Sequence, residues 1–266
     1  MNVLEKVKVH VPDEHAIPSL EGKVSAEEWK LRVDLAATYR LVALHGWDDM
    51  IFTHISARVP GPEHHFLINP YGLLFEEITA SSLVKIDLDG NKLQETEYPV
   101  NPAGFVIHSA LHMNRPDVGC VIHLHTSDGV AVAAQADGLL PLDQHAMMIL
   151  GDLAYHDYEG IAVELDERAR LVADMGSRNF MLLRNHGTLA VGKNCADAFL
   201  RIYYLERACA MQTRALAGGA RINSPNQGVP EKTAGQGAFG FDGFMGGLAW
   251  PALLRKVERS DPGFKS

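Results

Sequence analysis

Hydrophobic and polar positions alternate between two periods along this chain, and the changes of period mark its elements. Ser25 and Glu28 stand as an S-x-x-E capping box, and Trp29, Val33, Ala36, Ala37 and Leu41 follow at helical spacing. This predicts a helix from Ser25 to about His45, stopped by Gly46. Short β-prone runs come next, at 51–58, 65–68 and 83–87, separated by the turn-forming stretches PGPE, NPYG and DLDG. Apolar residues at 105–107, 110, 111 and 113 predict a buried helix over 104–113, and 118–124 reads as a strand. Strands at 180–183 and 189–191 bracket Arg184-Asn185-His186-Gly187. Asn194 then caps a long helix to about Ala217. Alternating helices and strands predict an α/β layered domain. The expected organisation is an N-terminal arm at 1–24, a main domain at 25–217, and a C-terminal part at 218–266. In that last part a glycine-rich flexible linker at 218–247 precedes a final helix at 250–257.

Composition narrows the setting. The chain has 266 residues, 47% of them apolar, and carries a formal charge of −9 from 24 basic and 33 acidic side chains. That is enough apolar material for a full core, and the acidic balance without a Lys/Arg block excludes nucleic acid as the expected partner. Cys120, Cys195 and Cys209 show no paired spacing, and no long apolar window or cleavable leader is visible. A cytoplasmic protein with no membrane partner is expected.

Thirteen histidines direct attention to metal chemistry. His10, His15, His64 and His65 lie in polar or turn-like sequence and read as solvated. His123 and His125 sit two apart on a strand and share a face, so both imidazoles aim at one point. Such a pair is either a metal-chelating edge or two buried, hydrogen-bonded histidines. His186, on a tight Asn-His-Gly turn, is the best third ligand. His108 and His112, at i and i+4 on a helix, form a competing pair, although HSALH lacks the glutamate of the HExxH metal helix.

Seven stretches together carry a family resemblance: DMIFTHISAR at 49–58, INPYG at 68–72, EITASSLVKID at 77–87, RPD at 115–117, VIHLHT at 121–126, AYHDY at 154–158 and LRNHG at 183–187. The chain resembles the class II aldolase/adducin family over about 25–217. The resemblance implies a three-layer α/β/α sandwich around a largely antiparallel central sheet and a homotetramer. It also implies one Zn2+ per subunit, or Mn2+, Co2+ or Fe2+ in its place, on His123, His125 and His186. It further implies a small carbonyl substrate and a metal-dependent carbon–carbon lyase, cleaving or decarboxylating a hydroxy- or oxo-acid through an enolate. The alternative it carries is a non-catalytic, adducin-like binding or scaffolding protein.

Departures from the sugar-phosphate aldolases of that family change the expectation. Their acidic residue four positions before His108 is here Gly104. Their phosphate cradle falls on Thr53-His54, Tyr71-Gly72 and Pro102-Ala103, so an unphosphorylated substrate is expected. With the acid gone, a proton donor is sought in a neighbouring subunit's His145 or Tyr155, and His108 is expected to line the same cavity.

Overall fold

In the computed structural model, which describes residues 17–241 and 243–266, one mixed seven-stranded sheet lies between two helical layers. The N-terminal arm falls mostly outside the described residues, as do His10 and His15. Helix α1 (Ala26–Leu44) starts where the Ser25 hydroxyl accepts from the Glu28 N–H and ends at Gly46, whose φ is +65°. Only half of the expected capping box forms. The Glu28 carboxylate instead accepts from Arg32 and Lys85, and the Arg32 guanidinium, fully buried, also donates to the Ala80 and Leu83 carbonyls.

Strands β1 (His54–Arg58), β2 (Phe66–Ile68) and β3 (Val84–Ile86) form one half of the sheet. The other half is β4 (Cys120–Leu124), β5 (Leu153–His156), β6 (Phe180–Leu183) and β7 (Gly187–Gly192). Their order is β3-β2-β1-β4-β7-β6-β5, antiparallel throughout except for the parallel β5–β6 pair.

Strand alternation sorts the side chains. Cys120, Ile122, Leu124, Phe180, Leu182 and Ala190 pack on one face against α1, α3 (Ser127–Ala133), α4 (Gln144–Ile149), and α6 (Cys195–Ala217). Val121, Met181, Leu189 and Val191 pack on the other against α2 (Pro102–Asn114) and α5 (Glu167–Met175). His123 and, opposite it in register, His54 therefore both face the α2 side. The three cysteines are buried thiols.

Helices take up most of the stretch expected at 218–247 to be a flexible linker, and 219–226 has no regular structure. Residues 229–241 form α7 (Val229–Phe241), and α8 (Phe244–Ser260) begins six residues before the helix expected at 250. Gly237 and Gly246 serve close packing. A Cβ on Gly237 would stand 2.8 Å from the Met148 carbonyl, and one on Gly246 2.5 Å from Asp197, while Phe241 and Trp250 are buried in the main core. Among the described residues, no helix is long and apolar enough to cross a membrane.

Candidate metal centre

His123 near the end of β4 and His125 just beyond it project from the same face, and His186 reaches them from the β6–β7 turn. Asn185 makes that turn with a left-handed φ of +57°, and Gly187 lets the two segments touch. A Cβ at Gly187 would lie 2.3 Å from the Leu124 carbonyl and 3.1 to 3.2 Å from the His125 and His123 rings. One nitrogen from each of His123, His125 and His186 lies within 4.8 Å of the other two.

Hydrogen bonds fix the rings. His123 Nδ1 is 2.9 Å from the Thr188 carbonyl, and His125 Nδ1 is 3.1 Å from the Asp49 carboxylate. Both partners accept, so each Nδ1 is the donor, and a ring in its neutral form presents a bare lone pair at Nε2. These two Nε2 atoms stand 3.0 Å apart. With both Nδ1 protons committed, two rings in the neutral form have no proton left to bridge that gap, and two lone pairs aimed at one place are the arrangement a divalent cation requires. Burial, reinforced by the neighbouring imidazoles, holds His123 well below the ordinary histidine range. Burial and then His125 lower His186 to about 4. His123 and His186 thus favour the neutral imidazole, the form that coordinates metal.

The triad opens on a cavity of about 720 Å3. Its walls include Phe52, Tyr71, Tyr158, Ile161 and Val163, with Asp49, Thr53, His54 and Asn101 as polar members. No lysine or arginine lines it among the described residues. Pro102 has no N–H, and the Ala103 N–H is taken by the Asn101 cap, so the first turn of α2 offers an anion few donors.

His108 does not reach this cavity. It is fully buried behind His54, with Nε2 2.8 Å from His54 Nδ1, and its Nδ1 meets the Ser56 hydroxyl. The same hydroxyl is 2.7 Å from His112 Nε2. Helical spacing does place His108 and His112 on one face, but Ser56 sits between them, so the competing metal pair is instead a hydrogen-bonded chain. Burial and then Arg58 lower His112 to about 3.

His145 and Tyr155 also lie away from the cavity of their own subunit. His145 stands 3.5 Å from Asp143 and packs on Tyr204. The Tyr155 hydroxyl accepts from the Leu139 N–H, and its ring lies under Arg184, which commits it to local structure. His64 is exposed and His65 half-buried. Sequence reasoning assigned no role to Asp49 or Tyr158, and it placed His54 only at the position of the family's phosphate cradle. The β1–β4 register sets His54 opposite His123.

A model of the family described as class II aldolase and adducin N-terminal domain matches residues 33–213. A Caulobacter vibrioides protein with a provisional aldolase class 2 name is 59% identical over 92% of this chain and 96% of its own. An aldolase II superfamily protein from Pseudomonas syringae has the same fold with a TM-score of 0.90, at 49% identity over 94% of this chain and 100% of its own. Mouse alpha-adducin is 47% identical over 70% of this chain, which spans only 26% of that protein. L-Fuculose 1-phosphate aldolase from Glaciozyma antarctica shares the fold, with a TM-score of 0.78 at 24% identity over 96% of this chain and 97% of its own. From the matched sequence and the shared fold, this chain belongs to the class II aldolase and adducin N-terminal domain family.

Proposed function

We propose that the protein is a metal-dependent carbon–carbon lyase acting on a small, unphosphorylated hydroxy- or oxo-acid. The observation that carries the reading is the pair of Nε2 lone pairs 3.0 Å apart, with His186 beside them. His123, His125 and His186 would hold the ion, with Zn2+ first and Mn2+, Co2+ or Fe2+ as alternatives. Such an ion supplies a positive centre that offsets the charge gathering on a substrate oxygen as a carbon–carbon bond breaks beside a carbonyl.

The chain's own groups do the rest. Thr188 and Asp49 fix the two ring orientations, and Phe52, Ile161 and Val163 give the cavity an apolar wall against which the carbon skeleton of a substrate can pack. The lack of a lining cation and the blocked first turn of α2 favour an unphosphorylated substrate over a sugar phosphate. Aldol cleavage and decarboxylation both fit this site. A homotetramer in the cytoplasm, with no nucleic-acid or membrane partner, completes the reading. A neighbour's His145 remains its candidate proton donor, because Tyr155 is already engaged within its own subunit.

A second reading has one specific observation behind it. The 47% identity to mouse alpha-adducin exceeds the 24% identity to the fuculose-phosphate aldolase, which keeps a non-catalytic binding role in play. Protein purified without added metal should contain about one divalent ion per chain, and a panel of hydroxy- and oxo-acids should yield a substrate that releases aldehyde or carbon dioxide. Full metal content with no turnover across the panel would favour the binding role.

A further inference from the structure

Three unexplained features meet at the start of β1. Thr53 is β-branched yet adopts a φ of +64°, and its buried hydroxyl has no partner. A left-handed conformation at such a residue costs on the order of 1–3 kcal/mol and persists only where the surroundings enforce it, which happens most often at functional sites. Next to it, His54 lines the cavity with its ring 5.1 Å from that of His123. Above it, Gly104 leaves room for that ring, because a Cβ there would stand 2.7 Å from His54 Cδ2.

Behind His54 runs a dry chain: His54 Nδ1 to His108 Nε2, His108 Nδ1 to Ser56 Oγ, and Ser56 Oγ to His112 Nε2. His108 and Ser56 are fully buried, and His112 nearly so. With neutral rings the chain keeps all three bonds with the first proton on either side. When His108 Nε2 donates to His54 Nδ1, His54 Nε2 carries N–H. When His54 Nδ1 donates to His108 Nε2, His54 Nε2 is a bare acceptor. Either way the ring is locked, and Nε2 faces the cavity without a protein partner among the described residues. A carboxylate could answer only the first arrangement, whereas a hydroxyl, both donor and acceptor, answers both.

We propose that His54 Nε2 is a specificity-determining contact for a substrate hydroxyl beside the histidine triad. Ser56, His108 and His112 are the positioning residues that lock the ring. The inference rests on the triad holding a metal, and its test separates the two claims. Acetohydroxamate and glycolohydroxamate both chelate zinc through the same two oxygens and differ in one hydroxyl.

Calorimetry on the zinc-loaded full chain should find glycolohydroxamate bound about two- to tenfold more tightly, the contribution of one neutral hydrogen bond. His54→Phe, which keeps the ring but removes its nitrogens, should bind both at the acetohydroxamate level with zinc content unchanged. His108→Leu should reduce the preference without removing zinc. In the wild-type chain, the His54 Nε2 nitrogen resonance should move on adding glycolohydroxamate and stay in place with acetohydroxamate. A hydroxyl preference that survives in His54→Phe, or an Nε2 signal indifferent to the hydroxyl, overturns the inference and leaves the metal reading intact. Failure of both hydroxamates to bind the zinc-treated wild-type chain overturns the metal reading and the inference with it.

Discussion

Glu206 of α6 is fully buried directly behind the triad, and replacing it with glutamine should make the protein more stable at alkaline pH. Its carboxylate accepts from the Thr126 and Thr188 hydroxyls, and Thr188 is the residue whose carbonyl receives the His123 proton. Burial outweighs those two hydrogen bonds, and with a smaller push from Asp128 it raises the group from 4.5 to about 7. The folded chain therefore keeps a proton that the unfolded chain releases near pH 4.3, and stability falls as pH rises from there to about 7. A displacement of that size corresponds to about 3 kcal/mol. Glu206→Gln preserves the shape and can still bond both threonines but does not titrate. Urea unfolding at fixed protein concentration, with chelator present, should show the variant gaining about 2–3 kcal/mol on the wild type between pH 5 and pH 8. A difference that changes by less than about 0.5 kcal/mol over that range, or with the opposite sign, would refute the assignment of Glu206 as a neutral buried acid.

Gly187→Ala should cost about 1–3 kcal/mol from the clash with the Leu124 carbonyl and should lower zinc occupancy, read by urea midpoint and elemental analysis. Arg32→Ala leaves the Glu28 carboxylate buried beside a single remaining partner, Lys85, and should lose about 3–5 kcal/mol in the same assay. His156 is held between Glu167 and Asp174, and the Glu167 carboxylate first, then Asp174, raises its pKa. Its contribution is full below about pH 6.5 and fades as pH rises past the folded value. His156→Gln should therefore lose more stability at pH 6 than at pH 8, and an equal loss at both would contradict the pairing.

What the sequence shows well is whatever depends on near neighbours. Ser25 and Asn194 cap the helices they mark, six of the seven strands lie within or beside the expected β-prone runs while β5 falls outside them, and His123 and His125 share a face because strand geometry leaves no choice. What it hides depends on partners far along the chain. Gly237 and Gly246 read as looseness because the Met148 and Asp197 atoms they pack against are 89 and 49 residues away. His108 and His112 look like ligands on one helix face until the β1 register inserts Ser56 between them. His54 gains meaning only when β1 pairs with β4 and α2 supplies Gly104 to make room for its ring.

The claim most in need of direct measurement is that three histidines form one metal centre. Zinc-edge X-ray absorption on the wild-type chain, with metal analysis of His123→Ala, His125→Ala and His186→Ala, measures it. The account predicts one zinc per chain with three imidazole nitrogens at about 2.0–2.1 Å, and loss of most of that zinc in each variant. A wild-type chain that takes up no divalent ion, or zinc that stays at full occupancy when His123 or His186 is removed, would contradict it.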